Sequence, residues 1–324
     1  MRFTSFIPAL TVLSFLLSQG VLAEPAYPQG PIKLIVPVPP GGAADFIGRI
    51  LAQRLTETLG QSFVIENVGG ATGTSAAQQV ARAKPDGYTL LLSSSTTHGT
   101  APAAFKALPY NPLSSFAHIR LIATVPAVAV VNKDLPVTTI AQLIDYSKQK
   151  PDALNYASSG NGSPLNFWGE MFKQATQTSL SHVPYKGSGP AVTDLIAGRI
   201  QVMFDGLPAQ IGNVQAGNTR VLAVLHPTRL PALPDTPTMG ELGYAQVVGG
   251  LWYGLSGPAG LAQTVVTTLD QALIKIENSQ PLQEEFSRRG ILLTPLSQSH
   301  YAAFIRTENE KYKAIGATAG ITNE

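Results

Sequence analysis

The chain has 324 residues, a formal net charge of +2, 13% charged residues and no cysteine. This length is enough for two domains of ordinary size, and the low charge density lacks the dense basic surface of a nucleic-acid-binding protein. The absence of cysteine excludes disulfide bonds, thiolate nucleophiles and cysteine-ligated metal sites.

Residues 1–23 have the features of a signal peptide. Arg2 supplies a basic start, Phe6–Leu17 is an apolar run, and Val21-Leu22-Ala23 is a small-residue cleavage site. The apolar run is too short to span a bilayer, which disfavours the alternative of a membrane anchor. We therefore expect cleavage after Ala23 and a soluble periplasmic protein, without a lipid anchor because no cysteine follows the cleavage site.

Strand and helix patterns then alternate along the chain, which favours an α/β fold with largely parallel sheets. Strands are predicted at 32–37, 62–66, 88–93, 126–131, 154–158, 180–185, 200–204, 220–225 and 251–256. Helices are predicted at 43–59, 74–84, 138–149, 164–177, 190–197, 207–216, 261–279 and 298–315. The last two helices have no core of their own, so we expect them to pack back on the first part of the chain.

This order predicts two lobes. Domain 1 comprises residues 24–124 and 248–324, and domain 2 comprises residues 125–247. The chain is expected to cross between them near Ala123–Pro126 and Val247–Trp252. Two lobes joined by two connections form a cleft that can close by hinge motion.

The first candidate site is the glycine-rich loop between the strand Ile32–Val36 and the helix that follows. Small residues leave the helix N-terminus uncovered, so its free amides and positive dipole end can receive an anion. The candidate ligand contacts here are Val38, Gly41, Gly42, Ala43, Ala44 and Asp45. A plain turn is the alternative. Because the Asp45 carboxylate would repel an anion, we expect it to hold the loop, with recognition of a ligand ammonium as the alternative.

Two more loops of the first lobe follow strands, where ligands of open α/β folds usually bind. Gly70 and Ala71 lie in a glycine-rich turn that lacks any nucleotide-binding motif. Ser94 and Ser95 follow the third strand, and their hydroxyls can bond a carboxylate or satisfy the local backbone. Ordinary turns are the alternative at both places.

The second lobe repeats the order of strand, glycine and helix. Its candidate contacts are Ser158, Gly160, Gly162 and Ser163, and Ser163 is also predicted to cap the helix that follows. Two uncovered helix starts, one in each lobe, would face each other and hold one small anion; two independently capped helices are the alternative. Tyr185 either lines the cleft or is structural. Asp205 either binds a ligand amine or hydroxyl or caps helix 207–216, and we favour capping.

Catalytic patterns are sparse. The five histidines show no metal-binding spacing, and no G-x-S-x-G motif occurs. A triad of Ser95, His98 and Asp86 can be drawn, but nothing in the pattern specifies it. A serine hydrolase that uses Ser95 or Ser158 stays as the alternative to a non-enzymatic binding protein.

Ordered motifs run along nearly the whole mature chain. They are Ile32–Pro40 with Gly41-Gly42 and Asp45, Leu59-Gly60-Gln61, Val64–Asn67, Gly70-Ala71 with Gly73, Ala83–Leu91, His182–Gly187, Pro234–Thr238 and Gly257–Gly260. Together they resemble the Bug family, the substrate-binding proteins of tripartite tricarboxylate transporters. The resemblance implies a two-lobed periplasmic binding protein of type II, each lobe a mainly parallel sheet flanked by helices, that closes on a small organic acid.

In this resemblance, backbone groups of Gly41–Ala44 hold a ligand carboxylate, partly through water, and the loop Ser158–Ser163 faces them. The chain departs from the family where Val38 replaces a usual Phe and Asn166 a usual His. We predict a monomeric carboxylate-binding protein without metal or cofactor, recognised by membrane permease subunits. Its ligand is a di- or tricarboxylate, an amino acid or an aromatic acid. The ligand-presenting subunit of a periplasmic sensor is the alternative.

Overall fold

The computed structural model describes residues 27–321 except Asp152, so the predicted signal peptide lies outside the described residues. The strands are β1 Ile32–Val36, β2 Phe63–Asn67, β3 Thr89–Ser94, β4 Phe116–Asn132, β5 Leu154–Ser158, β6 Leu180–Pro184, β7 Val202–Gly206, β8 Thr219–Val224, β9 Gly250–Pro258 and β10 Leu292–Leu296. The helices are α1 Ala43–Leu59, α2 Thr74–Ala81, α3 Ala101–Ala104, α4 Ile140–Gln149, α5 Pro164–Thr176, α6 Ser188–Ile196, α7 Leu207–Gln215, α8 Gln263–Glu277, α9 Gln280–Arg288 and α10 Gln298–Ala319.

The strands follow the order β2-β1-β3-β9-β4-β7-β5-β6, and β8 and β10 each pair with β4 as well. Each end of this order holds three parallel strands, and β4 and β9 run antiparallel to their neighbours. The sheets are therefore mixed, and the predicted two-lobed α/β class is confirmed. The carboxyl ends of the parallel strands carry the candidate loops.

The long strand β4 belongs to both ends of this order. Its residues Phe116–Pro126 pair with β9, and Ala127–Val131 pair with β7. The hydrophobic side chains divide at the same place: one large core draws its buried members from residues 127–247, and the other from residues 32–125 and 253–291. The C-terminal return thus packs with the first part of the chain. We call the two halves the first and second lobe.

Successive side chains of β1 point to opposite faces of the sheet in the first lobe. Leu34 and Val36 face the core that contains α1 and α8, whereas Ile35 faces the small core built on α2. Helices therefore cover both faces of this part of the sheet, and the apolar run of β1 is buried on both sides. Within residues 27–321, Asp152 aside, no helix is long and apolar enough to cross a membrane.

The C-terminal helix α10 touches both lobes. Its first half packs Tyr301 and Ile305 against Trp252 of β9. Its second half reaches α5, where the Nε1 of Trp168 donates a hydrogen bond of 3.3 Å to the Tyr312 hydroxyl. This contact connects the lobes at a place separate from the strands.

Candidate functional site

The loop before α1 is held in shape by Asp45. One Asp45 oxygen accepts hydrogen bonds from the Gly41 amide and from Arg49 Nε, both at 3.0 Å, and the other accepts from Asn67 Nδ2 at 2.9 Å. The hydrogen bond from Arg49 is the largest cause of a lowered pKa of Asp45. Nδ2 of the Asn67 side chain also donates to the Val38 carbonyl at 3.1 Å. This geometry supports the loop-holding role expected for Asp45.

The start of α1 is open to a ligand. Gly42 is its N-cap, and no side chain in the described part of the chain caps it. Gly41 has a φ of 107°, a conformation that favours glycine. Both glycines are exposed, and Ala43 beside them is half-buried, while Ala44 is buried. First-turn amides that point at a small exposed surface are suited to a carboxylate.

The loops after β1, β2 and β3 meet at Gly73. A Cβ added there would lie 3.0 Å from Pro37 Cβ and 3.1 Å from Thr97 Cγ2, so only glycine permits this approach. Gly73 ends the short 3-10 turn Ala71–Gly73, and its amide donates to the Gly70 carbonyl at 2.8 Å. The turn that contains Gly70 and Ala71 therefore lies against the segment between β1 and α1, at Pro37.

After β3 the chain forms the π-helix Ser95–Thr100, which periodicity in the sequence did not reveal. Ser94 caps it: the Ser94 amide donates to Thr97 Oγ1 at 3.1 Å, and the Thr97 amide donates to Ser94 Oγ at 3.4 Å. The Ser95 hydroxyl is buried and has no hydrogen-bond partner among the described residues. Ser94 thus satisfies local backbone, which was one of the two alternatives for these serines.

The loop before α5 in the second lobe is closed by its own side chains. Ser163 caps the helix as predicted, accepting from the Asn166 amide at 3.4 Å. The Asn166 side chain accepts from the Gly162 amide at 3.0 Å and donates to the Tyr156 hydroxyl at 2.8 Å. The expectation of two uncovered helix starts is therefore met at α1 and is wrong at α5.

Ser158 at the end of β5 and His182 in the middle of β6 form a tight pair. Ser158 Oγ and His182 Nε2 share a hydrogen bond of 2.6 Å, and the Gly160 amide donates to Ser158 Oγ at 3.1 Å. Burial lowers the pKa of His182 to about 4. Tyr185 donates its amide to the Ser158 carbonyl at 3.0 Å and its hydroxyl to Asp194 at 2.8 Å.

Asp205 is the buried penultimate residue of β7, and it connects two helices by hydrogen bonds. It accepts hydrogen bonds from Ser188 Oγ at 2.6 Å and from Gln210 Nε2 at 2.9 Å. The N-cap of α7 is Gly206, so the helix-capping interpretation of Asp205 is wrong. Burial raises the pKa of Asp205 and also that of Tyr253 on β9 of the first lobe, which the Asp205 charge raises further. Asp205 pairs with Val128, two residues after Pro126, where β4 changes its pairing partner. Asp205 therefore lies at the junction of the lobes.

The drawn triad is not assembled in the described residues. Asp86 Oδ1 accepts from the Tyr88 amide at 3.0 Å on an exposed turn, and His98 Nδ1 bonds Thr97 Oγ1 at 2.9 Å. The structure gives the Ser158–His182 pair no carboxylate bonded to the imidazole among those residues.

Several positioning residues escaped the sequence analysis. Asp45 is held by Asn67 and Arg49, and Asp205 is held by Ser188 and Gln210. Each of these partners lies either far away along the chain or about one helical turn away. Of these four residues, only Asn67 could have been found from the sequence, because it belongs to the Val64–Asn67 motif at the end of β2.

Two α/β lobes, two strand connections and candidate ligand loops at the strand ends define a solute-binding protein of the periplasmic type. Residues 47–321 match the family model of the tripartite tricarboxylate transporter family receptor, and the chain belongs to this family of solute-binding receptors. It is similar to Protein BugT of Bordetella pertussis, at 32% identity over 320 residues, which cover 96% of this chain and 97% of BugT.

Two solved structures are also similar. R. palustris Rpa4515 with adipate has a TM-score of 0.85 and 34% identity, and the match covers 91% of this chain and 99% of that one. The periplasmic binding protein BugD has a TM-score of 0.83 and 33% identity, with 92% and 100% covered. The Bug-family resemblance is confirmed, and these relatives imply a periplasmic location.

Proposed function

We propose that this protein captures a small organic dicarboxylate between its lobes and presents it to the permease subunits of a tripartite tricarboxylate-type transporter. The uncapped start of α1 at the exposed Gly42 carries the proposal. Its amides and dipole favour a carboxylate, and the similar protein Rpa4515 was solved with adipate.

The two lobes contribute differently to this site. The first lobe supplies free backbone donors, because Asp45 is turned into its own loop. The second lobe supplies a preformed wall, because Ser163 and Asn166 already bond the amides at the start of α5. One ligand carboxylate is therefore held at α1, and the rest of the ligand lies against Ser158, Tyr185 and the Gly160 region.

The proposed domains comprise residues 24–124 with 248–324, and residues 125–247. The change in pairing of β4 between Pro126 and Ala127 supports these limits, as does the division of the two cores. A ligand that contacts both domains favours the closed arrangement, which a membrane partner can then recognise. The monomeric protein is the proposed acting form.

Thermal unfolding with a panel of acids tests the proposal. Adipate at 100 times its dissociation constant should stabilise the protein by about 2.7 kcal/mol. A panel of dicarboxylates, monocarboxylates, amino acids and aromatic acids that leaves the unfolding temperature unchanged would contradict it.

Gly42→Val tests the position of the carboxylate. Among the described residues no atom lies within 4 Å of a Cβ at Gly42, so the fold should tolerate the side chain. The valine would cover the α1 amides, and affinity should fall at least tenfold, about 1.4 kcal/mol. Gly30→Val is the matched control, because Gly30 has equally open surroundings and precedes β1. Equal affinity in both variants would remove the Gly41-Gly42 loop from the site.

A further inference from the structure

A cavity of about 580 Å³ lies between the lobes and shares no lining residue with the candidate carboxylate site. The second lobe contributes Leu207 and Leu230, which belong to its core. The first lobe contributes Phe286 and Ile291, which belong to the other core. This volume falls within the range of ordinary small-molecule pockets, and the mainly apolar wall is typical of them.

The cavity wall also contains a buried ion pair. Arg120 Nε donates to Glu277 Oε2 at 2.7 Å, and Arg120 Nη1 donates to Asp270 at 3.2 Å. Two carboxylates thus share one guanidinium. The side chain of Glu277 is 5% exposed, and its second oxygen, Oε1, has no hydrogen-bond partner among the described residues. A buried acceptor without a partner is costly, so a donor placed there would be stabilising.

We propose that this cavity binds a small hydrophobic amine, whose apolar body packs on the wall and whose ammonium bonds Glu277. The local charge supports this chemistry, because the two carboxylates exceed the single guanidinium by one negative charge when both are ionised. Burial raises the pKa of Glu277 to about 7, so an ammonium would also favour its ionised form. The remaining titratable group on the wall, His226, adds no negative charge.

The cavity therefore selects the opposite charge from the cleft. A carboxylate ligand would be repelled by Glu277 and Asp270, whereas the α1 start would repel an ammonium. The two sites can be distinguished with probes of one shape and three charges: 2-phenylethylamine, 2-phenylethanol and 3-phenylpropionate.

Titration calorimetry of the full-length mature protein with these probes tests the assignment. The amine should bind about tenfold more tightly than the alcohol, as expected for one hydrogen bond to a charged group, and the carboxylate more weakly than either. An amine that binds no better than the alcohol would overturn the proposal.

Three variants locate the bound amine. Glu277→Gln should abolish the preference of amine over alcohol, while Glu284→Gln, an exposed change of the same kind on α9, should preserve it. Ala232→Trp fills the cavity from an exposed position and leaves the ion pair intact, so it should abolish binding of both probes. Amine binding that is unchanged in Ala232→Trp, or lost in Gly42→Val, would place the amine elsewhere and overturn the proposal.

Discussion

Asp45 places a negative charge beside a proposed anion site, and its hydrogen bonds explain how the two are compatible. The Asp45 carboxylate accepts hydrogen bonds from the Gly41 amide, Arg49 and Asn67. These donors neutralise much of its charge within the loop, so it repels an anion in the cleft less. The hydrogen bond from Arg49 is the largest cause of the lowered pKa of Asp45, but the Arg49 side chain is 54% exposed, so solvent screens the ion pair and its contribution to stability is small. The bonds to Gly41 and Asn67 fix the backbone that carries Gly42.

Asp45→Asn should therefore weaken binding of every carboxylate by a similar factor, about tenfold, because the loop loses a charged acceptor. Arg49→Gln removes the surface partner but keeps the bond to Gly41, so it should change affinity little. Calorimetric titration of both variants with plain and amino-substituted dicarboxylates measures this. A loss confined to amino acids would instead show that Asp45 binds a ligand ammonium.

Two histidines are buried side by side in the first lobe. The rings of His98 and His118 lie 5.5 Å apart, and their Nδ1 atoms bond Thr97 Oγ1 at 2.9 Å and Ser256 Oγ at 3.1 Å. Burial lowers the pKa of both, that of His118 to about 4. Both rings are therefore neutral in the folded protein at pH 7.

This pair predicts acid sensitivity. Between pH 6.5 and pH 4 the unfolded chain binds a proton at His118 that the folded chain does not, so stability falls as the pH falls through this range. The loss from His118 is about 3 kcal/mol at most. His118→Gln should flatten the dependence of the unfolding free energy on pH, measured with urea, whereas His300→Asn, at an exposed position, should leave the slope unchanged. Equal slopes in all three proteins would contradict the assignment.

At the scale of elements, α5 packs unusually close to β5. A Cβ added at Gly169 would lie 2.2 Å from the Tyr156 ring, which is itself fully buried. This contact sets how the helix that begins at the candidate loop lies on the sheet. The loop geometry of the second lobe therefore depends on a glycine that touches no ligand.

Gly169→Ala should destabilise the protein by about 2–3 kcal/mol, because the added methyl must displace the Tyr156 ring. Gly212→Ala is the matched control, since no described atom lies within 4 Å of a Cβ there and alanine favours the helix α7. The control should stabilise by about 0.5–1 kcal/mol. Urea unfolding measures both, and equal effects would contradict this packing.

The sequence predicted the elements whose apolar pattern is regular and missed those whose pattern is interrupted. Helix α1 was predicted at its observed limits, because glycines bound it at both ends. The first part of β4 escaped because His118, Arg120 and Thr124 interrupt its apolar run, and each bonds a partner more than a hundred residues away. β10 escaped because it is short and contains a proline.

The candidate site shows the same limit. The positions of the Gly41-Gly42 and Ser158–Ser163 loops after strands were predictable, because a strand–glycine–helix order is local. The closure of the α5 start by Asn166, and the partners of Asp205, depend on side chains brought together by folding. No local pattern encodes such contacts.

At the scale of the whole molecule, the contact between α5 and α10 offers a reporter of lobe movement. The chain has two tryptophans: Trp168 lies at this contact, and Trp252 lies within the first lobe, where its Nε1 donates to Glu308 at 3.0 Å. Movement of one lobe relative to the other should change the surroundings of Trp168 and leave those of Trp252 unchanged.

Adipate should therefore change the fluorescence of Trp252→Phe, in which Trp168 is the remaining tryptophan. It should leave the emission of Trp168→Phe unchanged, because that protein reports only from within the first lobe. Circular dichroism of both variants checks their folding. A change of equal size in both variants, or in neither when calorimetry shows binding, would contradict movement between the lobes.

The pairing of Pro126 with Gly250 places the two segments that connect the lobes side by side, so both connections lie along one line. We expect the two lobes to rotate about that line, which would open and close the cleft at the opposite edge. A Cβ at Gly250 would lie 3.0 Å from Thr124 Cγ2 and 3.2 Å from the Val125 carbonyl oxygen. A substitution there would therefore push apart the two segments that connect the lobes. Affinity for the cargo would then change through the fraction of molecules in the competent shape, with every contact to the cargo preserved.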